Sequence, residues 1–255
     1  RLELNNIQGA RANNDITIQN NLILTLGKLD IGSNLLTLGL NGSIGGAPYG
    51  LNNMIVSDGV TSSFGVRKFF DIIAAPANFT FPIGVSGKYT PAIYSIISNE
   101  SVGYININPV NNYHPSVLDP NNVLDFYWAI ESSGISNFEG ELNLKYLSSD
   151  VRGTESDYIA ARLLVPGTYW SKATTGPLTD NVDETTQLIK FTIPTGTNNL
   201  SGDYTAGSDP SIPDEVPAYK SMDNGDWSDE NNWIPVGSSP ACPVGGPNGF
   251  IVNID

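Results

Sequence analysis

The sequence predicts an all-β protein, an antiparallel β-sandwich flanked by a short segment of β-helix or β-roll type. Apolar and polar residues alternate with period two in many short runs, which is the pattern of half-buried strands. Gly, Pro, Asn and Asp separate these runs at turn positions. No stretch has the apolar spacing of an amphipathic helix, and 255 residues are enough to bury a substantial core.

Residues 1–53 are predicted to form the short β-helix or β-roll-like rungs. The stretch "DITIQNNLILTLGKLDIGSNLLTLGL" (15–40) contains brief apolar runs broken by turns at Gly27 and at Gly32–Asn34. Asn and Gly at such corners tolerate the left-handed backbone conformation that a tight turn between rungs needs. An ordinary β-meander at the edge of the sandwich is the alternative for this segment.

Residues 54–204 are predicted to form the antiparallel β-sandwich, because their apolar runs are longer and better separated. The clearest run is "VLDFYWAIE" (123–131), in which Leu124, Phe126, Trp128 and Ile130 share one face. The intervening residues, among them Asp125 and Glu131, make the opposite face more polar. Trp128 is therefore predicted to be a packing anchor of the sandwich core.

The remaining residues divide into a linker and a tail. Residues 205–217 hold three prolines and no apolar period, which predicts a semi-rigid linker. Residues 218–255 resemble the opening of another repeat or module, with Trp227 and Trp233 as packing anchors. The closing strand "GFIVNID" (249–255) presents Phe250, Val252 and Ile254 at alternate positions.

Composition and charge exclude several classes of function. The chain has 12 Lys and Arg against 26 Asp and Glu, a formal charge of -14, which repels nucleic acid and anionic membrane surfaces. It contains one cysteine, Cys242, and one histidine, His114, too few for an internal disulfide or a Cys/His zinc cage. No apolar run is long enough to insert into a membrane.

An acidic loop is the candidate metal site. Asp223, Asp226 and Asp229 place oxygen ligands within one turn-rich stretch, as calcium accepts them, although their spacing is not that of an EF-hand loop. The alternative is a solvated turn whose carboxylates bond local backbone amides. Calcium is thus the one cofactor that the sequence suggests.

Catalytic residues are not predicted. His114 stands in a loop without a serine or cysteine nucleophile motif, and Cys242 has no basic neighbour to lower its pKa. Glu131 and Glu141 lie at the polar positions of strands, where acidic residues favour solubility. The chain is therefore predicted not to be an enzyme.

Three segments carry a family resemblance. "FTFPIGVSGKYTPA" (79–92), "VLDFYWAIESSG" (123–134) and the stretch from "NGDWSDENNW" (224–233) onward resemble recurring segments of large Bacteroidetes surface proteins. The resemblance implies export by the type IX route, an extracellular location at the bacterial cell surface, and a β-sandwich followed by β-helical rungs. In that family pattern "GFIVNID" would run directly into rungs like those of residues 15–40. The resemblance therefore implies that the strand with Phe250, Val252 and Ile254 pairs with a neighbouring repeat.

The resemblance implies a structural or adhesive role. We expect one period of a tandem array, or else a single module of a mosaic protein, whose partners are neighbouring repeats or copies of itself and surface glycans. A carbohydrate-binding module of a secreted glycan-degrading protein is the alternative, since exposed indoles stack on sugars. An enzyme built on a β-helix is a third reading, and it would require converging carboxylates.

Overall fold

A computed structural model describes residues 1–164, 170–173, 181–213, 218–221, 228–236 and 251–253. It confirms the all-β prediction, since strands dominate the described residues. Helical structure in these ranges consists of short 3-10 turns, among them Ser148–Asp150, Glu155–Asp157, Asp209–Ser211 and Glu230–Asn232. None of the described helices is long and apolar enough to cross a membrane.

The N-terminal parallel segment, residues 2–70, is made of nine strands that pair in parallel, three to each coil of chain. Strands of successive coils stack in three separate sheets, β1 with β4 and β7, β2 with β5 and β8, and β3 with β6 and β9. In a β-meander, strands that are consecutive in the chain pair antiparallel. The parallel pairing seen here therefore differs from the β-meander that is the alternative prediction for residues 1–53. The strands are β1 (Leu2–Asn5), β2 (Ala10–Arg11), β3 (Ile16–Ile18), β4 (Asn21–Leu26), β5 (Leu29–Gly32), β6 (Leu35–Leu38), β7 (Ser43–Gly45), β8 (Ile55–Ser57) and β9 (Gly65–Phe70).

Apolar side chains form ladders along the parallel segment. Leu2, Leu22 and Ile44 occupy equivalent positions in successive coils, and Leu22 is fully buried. The corner at Gly27 has φ +95°, and a Cβ there would lie 1.8 Å from the Asn6 carbonyl oxygen. Only glycine fits this corner, which explains the turn signal in the sequence.

Lys68 interrupts one of these ladders. It occupies the register position that Ile18 and Leu38 hold in the two preceding coils, and it is 6% exposed. Its Nζ donates hydrogen bonds to the carbonyl oxygens of Gly39 at 2.9 Å, Leu40 at 2.7 Å and Phe69 at 2.6 Å. Burial lowers the pKa of Lys68 to about 8.

Twelve further strands follow, and ten of them build two larger sheets. The other two, β11 and β12, continue the sheet of β2, β5 and β8, where β11 pairs in parallel with β8 and antiparallel with β12. Strands β10, β13, β16, β20 and β19 form a five-stranded antiparallel sheet in that order. The eight-stranded sheet has the order β18-β17-β21-β15-β14-β9-β6-β3, and β9 pairs in parallel with β6 but antiparallel with β14. The strands are β10 (Ala77–Phe81), β11 (Ile83–Val85), β12 (Lys88–Tyr89), β13 (Ala92–Ser98), β14 (Gly103–Val110), β15 (Tyr127–Ser133), β16 (Phe138–Lys145), β17 (Tyr158–Leu163), β18 (Trp170–Lys172), β19 (Val182–Asp183), β20 (Leu188–Thr197) and β21 (Gly202–Ser208).

One apolar core extends through the parallel segment and these two sheets. Phe191 of β20 and Tyr204 of β21 meet edge to face across the sheets, with ring centroids 5.0 Å apart. Trp128 is fully buried, and its indole N–H donates to the Thr90 carbonyl at 3.1 Å. The opposite face of β15 holds Tyr127 in a smaller apolar cluster with Val110 and Ala129.

Strand β21 includes residues 205–208, which the sequence prediction assigns to the start of the linker. Thr205 and Ala206 are fully buried, and β21 lies between β15 and β17. The residues Thr, Ala, Gly and Ser carry little apolar surface, so no period-two signal marks this strand. Its position in the sheet comes from hydrogen bonds with distant strands.

A separate three-stranded sheet has the order β23-β22-β24, with β22 (Ala218–Ser221), β23 (Trp233–Val236) and β24 (Ile251–Asn253). Strand β22 pairs antiparallel with β23 and in parallel with β24. Strand β24 therefore lies at an edge of this sheet.

The raised pKa values of buried tyrosines predict that the protein loses stability at alkaline pH. Burial raises the pKa of Tyr158 to about 12 and raises the pKa of Tyr94 well above its usual value. Both side chains ionise near pH 10 in the unfolded chain, so their stabilising effect is complete below about pH 10 and is lost as the pH rises further. Lys68 has the opposite effect between about pH 8 and 10.5. In this range its side chain is protonated in the unfolded chain but neutral in the folded protein, so the free energy of unfolding rises with pH.

We therefore expect the urea midpoint of unfolding to fall steadily above about pH 10. The matched variant is Tyr94→Phe, because the Tyr94 hydroxyl has no hydrogen-bond partner in the described part of the chain. This variant should show a shallower alkaline fall and a similar midpoint at pH 7. An identical alkaline slope in the two proteins would contradict the prediction.

Candidate functional site

The first coil of the parallel segment presents three strand edges on one side. Strands β1, β2 and β3 are each the terminal strand of their sheet. The N–H groups of Ala10 and Ala12 donate to the carbonyls of Lys28 and Asp30, and Gly39 N–H donates to the Ile18 carbonyl. Backbone groups of successive residues point to opposite sides of a strand, so those of Arg11 and Thr17 point to the free edge.

Apolar side chains are exposed on the same coil. Ile7 is 75% exposed and Leu2 is 42% exposed. The residues that face inward, Leu4, Ala12 and Ile18, are by contrast nearly covered. The first coil thus combines strand edges that no described strand pairs with and exposed apolar surface, a combination that favours addition of another strand.

The predicted calcium loop lies only partly within the described residues. Asp229 Oδ1 accepts hydrogen bonds from the backbone N–H of Asn231 at 3.0 Å and from its side-chain amide at 2.9 Å. Asp223 and Asp226 lie outside the described residues. Within the described ranges no group of three His, Cys, Asp or Glu side chains could hold a metal ion. The calcium site stays a prediction.

The other predicted site residues are distributed over the core and the tail. Trp233 is 7% exposed and Trp128 is fully buried, whereas Trp227 lies outside the described residues. Val252 of β24 is in register with Tyr219 of β22. Phe250 and Ile254 also lie outside the described residues, so the pairing of this strand with a neighbouring repeat stays a prediction.

His114 lies in a structural network. Its Nε2 is 3.0 Å from Asp203 Oδ2, and its Nδ1 accepts the backbone N–H of Ser116 at 3.1 Å. The ring is 5% exposed and packs edge to face against Tyr127 and Trp170. These contacts use both ring nitrogens and explain the histidine by packing and hydrogen bonding.

Lys88 and Asp150 form a partly buried ion pair that sequence reasoning missed. The Asp150 side chain is fully buried, and its Oδ1 accepts a hydrogen bond from Lys88 Nζ. The same Nζ donates to Asn111 Oδ1 at 2.5 Å. These contacts of Lys88 connect β12 to the loop after β14 and to the 3-10 turn at Ser148–Asp150.

A cleft of about 970 Å³ lies between the parallel segment and the loops at one end of the antiparallel strands. One wall contains Arg11 of β2, Lys28 and Asp30. The chain that follows β14, with Asn112 and Tyr113, forms another part of the lining. Asp58, after β8, also lines the cleft.

The charged groups of the cleft balance one another. Arg11 and Lys28 supply two positive charges and Asp30 and Asp58 two negative charges, so the lining has no net formal charge. Arg11 Nη1 lies 3.9 Å from Asp30 Oδ2, and Asp58 Oδ1 accepts the Ser33 hydroxyl at 2.9 Å. Lys28 forms no ion pair with any described residue. The cleft is therefore a neutral region on a strongly acidic protein.

Sequence reasoning did not identify this cleft. Its residues come from loops and strand ends between positions 8 and 127, in short runs that carry no recognisable motif. Only the stacking of the parallel segment beside β14 and β15 brings them together. The pattern along the chain contains no signal for that proximity.

Comparison with protein-family models, with curated proteins and with solved structures finds no match. The resemblance to Bacteroidetes surface proteins stays a prediction.

Proposed function

We propose that the chain is an extracellular, non-catalytic structural or adhesive module of a long, repetitive bacterial surface protein or filament. In this proposal β1–β9 are a short β-helix, and the five-stranded sheet with the antiparallel part of the eight-stranded sheet is a β-sandwich. The parallel ladders of β1–β9 and the contact between Phe191 and Tyr204 support these assignments.

The observation that carries the proposal is the position of β1, β2 and β3 at the edges of three parallel sheets. Backbone N–H and C=O groups on these edges have no strand partner among the described residues. Such edges accept further strands, and exposed Ile7 and Leu2 add apolar surface that a neighbour would cover.

The occupant that we propose is a neighbouring repeat or a second copy of this chain. Its closing strand, residues 250–254, would add in parallel beside β3, the edge strand that lies within residues 15–40. In the described structure β24 already pairs in parallel with β22 and lies at a sheet edge. The net charge of -14 would keep such an assembly extended and soluble.

The proposed edge is tested by Thr17→Pro. Thr17 is exposed at the centre of β3, and its N–H points away from β6, so proline removes an outward donor and leaves the β3–β6 bonds intact. We expect wild-type chain to self-associate with rising concentration in light scattering, and Thr17→Pro to weaken association about tenfold or more. Thr17→Val is the matched control, because it keeps the N–H and should associate like wild type.

A synthetic peptide with the sequence of residues 249–255 gives an independent measurement. It should bind the wild-type chain and compete with self-association. The proposal is wrong if the wild-type chain stays monomeric at every concentration and does not bind the peptide.

A further inference from the structure

We propose that the cleft between the parallel segment and the loop after β14 is a binding site for a neutral oligosaccharide. This site is independent of strand addition at β1–β3, so each of the two proposals can fail alone.

The size and shape of the cleft suit an oligosaccharide. Its volume of about 970 Å³ lies at the upper end of the roughly 300–1,000 Å³ range of small-molecule sites. Its walls come from two different parts of the fold, and its lining combines apolar residues such as Val56 and Pro115 with polar ones. A ligand with both hydroxyl groups and apolar ring faces matches this lining.

The charge balance selects a neutral ligand. The lining pairs two cations with two carboxylates, whereas the whole chain has a formal charge of -14. An anionic sugar would be repelled by the surrounding surface and would meet no net positive charge in the cleft. Carboxylates accept hydrogen bonds from sugar hydroxyl groups, and guanidinium and ammonium groups donate hydrogen bonds to sugar hydroxyl oxygens. The lining can therefore form hydrogen bonds with adjacent hydroxyl groups of one neutral sugar.

Several polar side chains of the lining are available for a ligand. Gln8, Lys28, Ser86 and Asn112 form no side-chain hydrogen bond with any residue that the structure describes. Together they offer two amides, an ammonium and a hydroxyl around the same cavity. A hydroxyl-rich ligand can use all of these groups at once.

Tyr113 supplies a fixed aromatic surface. Its backbone N–H donates to Asp125 Oδ1 at 3.0 Å, and the guanidinium of Arg152 lies 5.5 Å from its ring centroid. Arg152 Nη2 in turn donates to Asp125 Oδ2 at 2.5 Å, so one carboxylate anchors both the loop and the cation. Tyr113 also packs against the apolar cluster of Val123 and Trp170, so its ring is held from more than one side. A half-buried tyrosine that lines the cleft in this way offers apolar ring atoms and a polar hydroxyl, which suit packing against a sugar ring.

The test is isothermal titration of the full chain with cellohexaose, xylohexaose and mannohexaose, and with oligogalacturonate as the acidic probe. We expect at least one neutral probe to bind and oligogalacturonate to bind more weakly. Tyr113→Ala should weaken binding of that neutral probe about tenfold. Tyr104→Ala is the matched control, because Tyr104 is also a half-buried tyrosine beneath a guanidinium, Arg67 at 4.1 Å, and it does not line the cleft.

Three outcomes would overturn the proposal: no neutral probe binds, only oligogalacturonate binds, or Tyr113→Ala binds as tightly as wild type. If Tyr113→Ala is unfolded by circular dichroism, Asn112→Ala replaces it, because the Asn112 side chain is exposed. Asn112→Ala should also weaken binding, and unchanged affinity would count against the site. Thr17→Pro should bind the sugar like wild type, which separates this result from the test of strand addition.

Discussion

Replacement of Trp128 by alanine is expected to lower the free energy of unfolding by about 3–5 kcal/mol. The indole is fully buried and meets Phe126 edge to face at 5.0 Å. Its removal would leave a large cavity in the continuous core and would remove the hydrogen bond to the Thr90 carbonyl. Urea unfolding followed by circular dichroism measures the difference.

Two variants calibrate this expectation. Trp128→Phe keeps much of the packing but removes the N–H donor, so it should cost less than alanine. Ile97→Ala alters a side chain of β13 that is 50% exposed, and it should change the stability by no more than about 0.5 kcal/mol. If Trp128→Ala costs no more than Ile97→Ala, Trp128 is not a packing anchor.

Replacement of Lys88 by methionine is expected to cost about 3–5 kcal/mol as well. It would leave the carboxylate of Asp150 in the protein interior without its cation. The ammonium of Lys88 also lies 5.7 Å from the Phe126 ring centroid, so the variant loses that contact too. The free energy of unfolding at pH 7 measures the loss.

The double variant Lys88→Met/Asp150→Leu separates charge burial from packing. A buried ion pair replaced by apolar residues of similar volume is often close to neutral, so the double variant should recover most of the stability lost by Lys88→Met. If the double variant is as unstable as the single one, the cost of Lys88→Met does not come from an unpaired carboxylate.

The sequence predicts strands well but their partners poorly. Alternation in "VLDFYWAIE" predicts that Leu124, Phe126, Trp128 and Ile130 share a buried face, and the structure places all four in the main core. Tyr127 and Ala129 on the opposite, predicted wetter face are buried as well, because they pack in a second cluster with Val110. Alternation is the same in parallel and antiparallel strands, so Leu22 and Leu24 could not decide between rungs and a meander. The direction of pairing depends on contacts about 20 residues apart, as between Leu2 and Leu22.

The functional candidates were harder to predict for a related reason. Lys88 and Asp150 are 62 residues apart, and Arg11 and Tyr113 come from different parts of the cleft lining. Each is an ordinary polar or aromatic residue in its local segment. Long-range strand pairing brings these residues together, and a single sequence does not show which distant residues are close in space.

Lys68 gives the parallel segment a direction. At the β1 side the apolar ladders are open, whereas at the other side the ladder of Ile18 and Leu38 ends in a charged side chain and β9 continues into antiparallel pairing with β14. The two ends of the segment are therefore not interchangeable. Units that join through the β1 side would do so head to tail, and a head-to-tail contact that does not close into a ring produces a polar fibre that grows without a fixed length.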